Sequence, residues 1–495
     1  MARQRFKSIY FTDYPAEEPT GRHVKVAFGV DDDDLFEQTR LLSGQDLREL
    51  LGFDTFVALR NAAHAQGDTI NGYCLGRLRE QLALDLQYRT DGDTPSVCQP
   101  VHLTGLQATF KGGAAEPMHL WYPYLEGYSP QFVSSVLDRY APKARVVLDP
   151  FSGTGTTPLT VARRGAVCYF SEVNPLLQLL TEVKVDALRP PRKERTCLSD
   201  ELERIAAALP DALDRFLPSL DLTHAYQSTF GTSVFFDETT FDRVLRCRAF
   251  LDDMACRQPL VARLVEVAVL ASLVPSSLLT RAGDLRYKTP SELARERVEF
   301  VTTVEQQLQL MAGDLRRLTG VRLAHKPLLL AEDAKRLRRL PMLNVDAVVT
   351  SPPYLNGTNY FRNTKLELWF LRCLRDQGDL ASFRTKSVTA GINDVSRRRE
   401  VRDGHPSVRV IVQELSTNAY DARIPKMVHS YFQDMSLVFE GLASHVTPGA
   451  TVAIDIGDSA YGGIRVPTDR LLTELLEERD FELVDEVVLR RRLSR

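Results

Sequence analysis

The chain has 495 residues, 44% of them hydrophobic and 26% charged, enough for one large core or for two or three domains. Lys and Arg number 62 against 65 Asp and Glu, a net charge of −3, so no global excess of cations marks a polyanion binder and any such surface must be a local patch. Seven cysteines lie scattered without a Cys-x-x-Cys pair or neighbouring histidines, which argues for reduced thiols in a cytoplasmic setting and against a disulfide framework or a metal site.

Residues 1–115 open polar and basic, with no secretory leader, and read as an N-terminal accessory region with a helix over 44–66 after Ser43. Trp121-Tyr122-Pro123-Tyr124 then leads through Ser129-Pro130 into an amphipathic helix over 131–140, begun by serine and proline. A strand at 145–149, a glycine turn, a helix over 156–164, a strand at 166–170 and a helix over 175–185 describe a right-handed parallel βαβ unit. Residues 186–324 lack strand alternation and are helical by periodicity, so they read as an insertion. Its most apolar run, 260–279, holds Arg263, Glu266 and Pro275, which makes it a buried helix with a break rather than a membrane span. Strands at 328–333 and 345–349 resume the α/β pattern. A helix over 364–374, a polar loop or lid at 376–425, a helix over 427–445, a strand at 451–457, a helix over 468–478 and strands within 481–492 complete it. The expectation is a Rossmann-like α/β fold of about seven mostly parallel strands, its parts 116–185 and 325–495 separated by the helical 186–324.

Two strand ends carry chemistry. Val345-Asp346-Ala347-Val348-Val349 runs into Thr350-Ser351-Pro352-Pro353-Tyr354, where two prolines stop the strand because they lack the N–H that a ladder needs. Carbonyls left free by that stiff turn, with a flat Tyr354 beside them, suit a planar nitrogen base. The second end is Asp149-Pro150-Phe151-Ser152-Gly153-Thr154-Gly155-Thr156-Thr157. Gly153 and Gly155 admit a ligand close to the backbone, and Thr156 and Thr157 begin a helix whose free N–H groups favour a carboxylate. Lysine is missing from the turn and the spacing is not Gly-x-Gly-x-x-Gly, which disfavours a phosphate loop and a nicotinamide dehydrogenase. Glu172, before Asn174-Pro175, ends the next strand where a ribose's hydroxyls would be held. Asp333 is placed either to accept from an adenine amine or to cap a helix. Trp121 to Tyr124 offer an aromatic wall. A nucleoside with an amino-acid tail fits this set, S-adenosyl-L-methionine better than a dinucleotide.

The 149–157 segment resembles the cofactor motif of the amino-methylating DNA methyltransferases, and Thr350-Ser351-Pro352-Pro353-Tyr354 resembles their catalytic motif in the form most associated with N4-cytosine. Residues 121–133 look like the motif placed before the glycine turn, Glu172-Val173-Asn174-Pro175 like the ribose-binding motif, and Glu332-Asp333-Ala334 like the adenine-contacting one. The motifs run here in the order cofactor then catalytic, where many members are permuted. The resemblance implies S-adenosyl-L-methionine held by Trp121, Tyr122, Pro123, Asp149, Pro150, Phe151, Gly153, Gly155, Thr156, Thr157, Glu172, Asn174, Asp333 and Ala334. It implies catalysis by Ser351, Pro352, Pro353 and Tyr354, with no metal, on a cytosine flipped out of double-stranded DNA at a specific site. The insertion is then a candidate target-recognition domain. A restriction endonuclease is a possible partner. Cations for phosphates include Arg281, Arg286, Lys288, Arg397, Arg398 and Arg399. Three alternatives stay open: N6-adenine as target, an RNA substrate, and a non-catalytic DNA-binding subunit on the same scaffold.

Overall fold

The computed structural model describes residues 4–13, 103–282, 284–295, 298–355, 360–395 and 404–492. Seven strands form one sheet: β1 (Gln4–Asp13), β2 (Val146–Asp149), β3 (Val167–Ser171), β4 (Leu328–Ala331), β5 (Val345–Thr350), β6 (Val446–Gly457) and β7 (Phe481–Arg492). They lie in the order β7-β1-β6-β5-β2-β3-β4, and every pairing between neighbours is parallel. The central strands are β-branched and apolar because both faces are covered: Val147, Leu148, Val348 and Val452 are fully buried. From β2 the chain moves outward to β3 and β4, then returns to the other side of β2 for β5 and β6. That reversal opens a crevice at the carboxyl ends of β2 and β5, where the helices must diverge.

Helix α1 (Pro130–Tyr140) starts where Ser129 accepts a hydrogen bond from Phe132 N at 3.2 Å. Helices α2 (Thr156–Arg163) and α3 (Pro175–Leu188) follow β2 and β3 and make the expected crossover unit. The insertion folds as α4 (Arg192–Leu213), α5 (Leu220–Phe230), α6 (Glu238–Arg257), α7 (Pro259–Ser276) and α8 (Phe300–Arg317). These share one core with Leu176 and Leu180 of α3 and with Trp369 of α9 (Lys365–Phe370). Helix α7 is long and apolar enough to cross a membrane, yet it is the buried centre of this body. Pro275 sits in its last turn, so the expected break is a terminus.

Three expectations need correction. The insertion also contains an antiparallel hairpin, Leu279–Ala282 with Asp284–Tyr287, whose charged residues hide the alternation that buries Leu279 and Leu285. The 376–425 stretch is not a loop where it is described: it holds α10 (Asp379–Lys386) and α11 (Pro406–Asn418) before α12 (Arg423–His445). Val408, Val412 and Leu415 form a narrow buried stripe on α11, at the helical spacing that its polar composition obscures. Lastly, Gln4–Asp13, placed by sequence in an accessory region, is a strand of the main sheet between β6 and β7. The helix expected over 44–66 lies outside the described residues. Helix α13 (Thr468–Glu477) leads into β7 as its periodicity requires.

Candidate active site

The site is assembled around one carboxylate. Asp149, at the end of β2, is 1% exposed and accepts hydrogen bonds from Thr350 Oγ1 at 2.7 Å, from Phe151 N at 3.0 Å and from Tyr128 Oη at 3.3 Å. Tyr128 Oη also lies 2.6 Å from Thr157 Oγ1. The turn after β2 and the turn after β5 are therefore fastened to each other, and the pairing of Val147 with Ala347 and of Leu148 with Val348 puts them on the same edge. Burial pushes the Asp149 carboxyl up to about 6. Tyr128, buried and pointing at both turns, is a residue that sequence reasoning missed. Thr157 turns its hydroxyl to Tyr128.

Gly153 and Gly155 have φ of 54° and 83°, the left-handed region that favours glycine. A Cβ on Gly155 would stand 2.5 Å from Thr181 Oγ1 and 2.8 Å from its Cγ2, so α3 presses directly on the turn. On Gly153 a Cβ would meet the Tyr124 ring at 3.5 Å. Lys184, one turn after Thr181 on α3, donates from Nζ to Thr154 O at 3.0 Å. It is 4% exposed, and burial lowers its ammonium to about 7. Nothing in the local sequence distinguishes this lysine from a surface one.

Glu172 is not a solvated acid. Its Oε2 accepts from Gly153 N at 2.9 Å and its Oε1 from Asn174 N at 2.8 Å, and burial raises its carboxyl to about 7. Asn174 caps α3 through Leu176 N at 3.1 Å and donates from Nδ2 to Thr364 Oγ1 at 3.0 Å. The ends of β2 and β3 and the segment after the proline turn thus share one network. Pro150 and Phe151 sit at its base, with Phe151 packed on the Leu148 and Val348 cluster.

The other expected cofactor residues divide. Trp121 and Tyr122 are fully buried: Trp121 Nε1 donates to Asp314 Oδ2 at 3.1 Å and Tyr122 Oη to Glu367 Oε1 at 2.9 Å. They belong to the helical core and form no wall at the crevice; Pro123 is exposed, and Tyr124 is the ring that reaches Gly153. Asp333 caps the turn Ala334–Arg339 by accepting from Lys335 N at 3.0 Å, with Lys335 Nζ at 3.4 Å and Arg336 Nε at 3.5 Å, while Ala334 is buried. The capping alternative is thus the one its contacts bear out.

At the proline turn Pro352 is buried and Ser351, Pro353 and Tyr354 are half-buried. Tyr354 Oη donates to Asp455 Oδ2 at 2.9 Å, and the Ser351 hydroxyl also hydrogen-bonds to the Asp455 carboxyl. Asp455 is 2% exposed near the end of β6, and burial pushes it up to about 8. Among the described residues its Oδ1 is one of the buried atoms with no partner, as are Ser152 Oγ and Ser171 Oγ at the ends of β2 and β3. A single acid inside the apolar Val452-Ala453-Ile454-Asp455-Ile456 was the signal that could have found it. The next residue is held too, since Leu355 O accepts from Tyr461 Oη at 2.7 Å and from Ser459 Oγ.

The cations expected at phosphates are mostly engaged. Arg281 is a correction: it is paired with the buried Glu367, donates to Tyr122 Oη at 2.7 Å and lies over the Tyr122 ring. Arg286 grips Glu292 with two bonds of 2.8 Å, and Lys288 Nζ donates to Pro275 O at 2.7 Å. Arg397, Arg398 and Arg399 lie outside the described residues.

A parallel sheet with a switch point at a glycine turn is a Rossmann-like α/β fold. Among known proteins, the chain is 22% identical over 434 residues to the Type II methyltransferase M.BsoBI of Geobacillus stearothermophilus, covering 78% of this chain and 82% of that protein. It is 23% identical over 412 residues to the Type II methyltransferase M.AvaI of Nostoc sp., covering 77% and 82%, and matches M.AvaI of Anabaena variabilis equally. No family model matches the chain, and no solved structure does.

Proposed function

We propose that the chain is a site-specific DNA methyltransferase that moves a methyl group from S-adenosyl-L-methionine to the exocyclic N4 amine of a cytosine flipped out of duplex DNA. The observation that carries this reading is the sharing of Asp149 by the two turns, which sets a cofactor-type glycine turn beside a base-type proline turn at one crevice. Similarity to proteins named Type II methyltransferases over most of the chain supports it. The reading brings with it a cytoplasmic, nucleoid-associated location, a possible restriction endonuclease partner, and target recognition by the 186–324 insertion.

The residues fit the cofactor: a Cβ on Gly153 would enter the space between the turn and the Tyr124 ring, and among the described residues Ser152 Oγ and Ser171 Oγ are buried without partners. Gly153, Gly155, Thr156, Tyr124, Glu172 and Asn174 would hold it. When bound it supplies an electrophilic methyl group. The chain's own residues prepare the acceptor. An exocyclic amine is a weak nucleophile because its lone pair is delocalised into the ring. Acceptors aimed at its N–H groups draw the nitrogen towards tetrahedral geometry, and we assign that task to the Pro352 carbonyl and the Ser351 hydroxyl. Ser351 accepts best while it donates to Asp455, so Asp455 is a positioning residue, and ionising it strengthens the acceptor. Pro353 stiffens the turn. Tyr354, anchored by Asp455, offers a face on which the base stacks, an interaction worth about 1–3 kcal/mol against an unstacking cost of a few.

Mass spectrometry of nucleosides from DNA treated with the purified chain and cofactor tests this. N4-methylcytosine is expected. N6-methyladenine alone would move the target to adenine, and no modified nucleoside from a chain that binds DNA would make it a scaffold subunit.

A further inference from the structure

We propose that Gln307 and Asp314 of α8 are positioning residues for the cofactor: they clamp residues 118–121 and through them hold the Tyr124 ring over the glycine turn. This rests on the S-adenosyl-L-methionine reading and gives the insertion a part in cofactor binding besides target recognition.

Gln307, Asp314 and Arg317 follow one another at helical spacing and so lie along one face of α8. Gln307 Nε2 donates to Leu120 O at 3.0 Å and to Trp121 O at 2.9 Å. Asp314 is buried, and its Oδ2 accepts from Met118 N at 2.7 Å and from Trp121 Nε1 at 3.1 Å. Arg317 Nη2 donates to Ala115 O at 3.0 Å. The grip fixes a particular backbone course: Met118 has φ of 69°, a left-handed value that a residue with a side chain keeps only when its surroundings enforce it. Helix α8 is a firm anchor for this. Leu308, Met311 and Leu315 are fully buried, and Ala312 O accepts from Ser199 Oγ of α4 at 2.8 Å.

From Trp121 the chain reaches the glycine turn within a few residues. Residues 122–129 run as bends, turns and extended backbone, and Leu125 is 61% exposed, so the outer side of this loop has little cover. Its course is therefore set by its ends. At the far end Tyr128 Oη lies 3.3 Å from Asp149 Oδ2 and 2.6 Å from Thr157 Oγ1. At the near end the clamp holds Leu120 and Trp121, and Tyr122 Oη donates to Glu367. Tyr124 stands between the two, its ring 3.5 Å from where a Cβ on Gly153 would be. A helix that served DNA contact alone would need no bonds to this loop.

The test titrates the full chain with S-adenosyl-L-homocysteine in a calorimeter. Gln307→Met keeps a good helix former of similar length and removes the donor to both carbonyls. Affinity is expected to fall about tenfold, within what two lost hydrogen bonds allow. Asp314→Ala should lose more, and Asp314→Asn, whose amide oxygen still accepts from Met118 and Trp121, should restore most of it. Arg316→Gln is the control. It breaks the ion pairs of α8 with Asp200 and Glu203 of α4, away from the clamp, and should leave affinity near that of the parent. The route through Tyr124 is read in the Tyr124→Leu background, where Gln307→Met should add almost no further loss. Parent-like affinity in Gln307→Met and Asp314→Ala, an equal loss in Arg316→Gln, or losses that multiply in the double variant each overturn the positioning role. A parent chain that binds no S-adenosyl-L-homocysteine instead overturns the cofactor reading itself.

Discussion

Substituting Gly155 by alanine separates two costs that the structure places at one residue. The first is conformational: φ is 83°, where an L side chain costs about 1–2 kcal/mol. The second is crowding, since the new Cβ would stand 2.5 Å, 2.8 Å and 2.9 Å from the Oγ1, Cγ2 and Cβ of Thr181. Thr181 is 2% exposed on α3 and bonded to Leu177 O at 3.0 Å, so it has little freedom to withdraw, and overpacking of this kind costs about 1–3 kcal/mol. The sum is about 2–5 kcal/mol. Gly165 provides the control: its φ is 82°, but nothing lies within 4 Å of its missing Cβ, so alanine there meets only the first cost, about 1–2 kcal/mol. Urea unfolding of the two variants measures the difference. The double variant Gly155→Ala with Thr181→Ala should recover part of it as a coupling energy, and calorimetry should show weakened cofactor binding in Gly155→Ala but not in Gly165→Ala. Equal destabilisation by the two alanines, within about 0.5 kcal/mol, would refute the contact between α3 and the glycine turn.

Further outcomes follow from other contacts. Because the Asp455 carboxyl sits near 8 and its ionised form strengthens Ser351, kcat is expected to rise with pH from 7 to 9 and to lose that rise in Asp455→Asn; an unchanged profile in the variant removes Asp455 from the mechanism. Thr350→Val deprives buried Asp149 of a donor and is expected to cost about 1–3 kcal/mol by urea unfolding, with loss of cofactor affinity as the two turns separate. Burial lowers the Lys184 ammonium from 10.5 to about 7, so the unfolded chain binds this proton more tightly and the native state gains stability as pH rises through that interval. Relative to Lys184→Met, the parent should therefore gain stability between pH 7 and 10.5, and a pH-independent difference would show the amine to be solvated. Tyr354→Ala should depress methylation while cofactor affinity stays near that of the parent, and activity at the parent rate would remove the stacking role.

What could be read directly were features whose physics is local. Proline in a strand's path, glycine where φ is positive, and Ser129 or Asn174 before a proline each act within a few residues, so the proline turn, the glycine turn, the helix starts and the order of β2, α2, β3 and α3 follow from residue type. The apolar runs of β2 and β5 likewise announce strands buried on both faces. Partners far along the chain carry no such mark. Gln4–Asp13 is a sheet strand only because β6 and β7 leave a gap between them, and its polar opening looked like an accessory segment. Tyr128 and Asp455 became site residues, and Trp121 and Tyr122 core residues, through packing against residues 21 to 245 positions away along the chain. Arg281 shows the same limit in reverse: a cation is a free phosphate ligand or half of a buried pair depending on whether Glu367 happens to face it. Residue type sets what a side chain can do, and the tertiary contacts, through burial and the supply of donors and acceptors, choose which of those things it does.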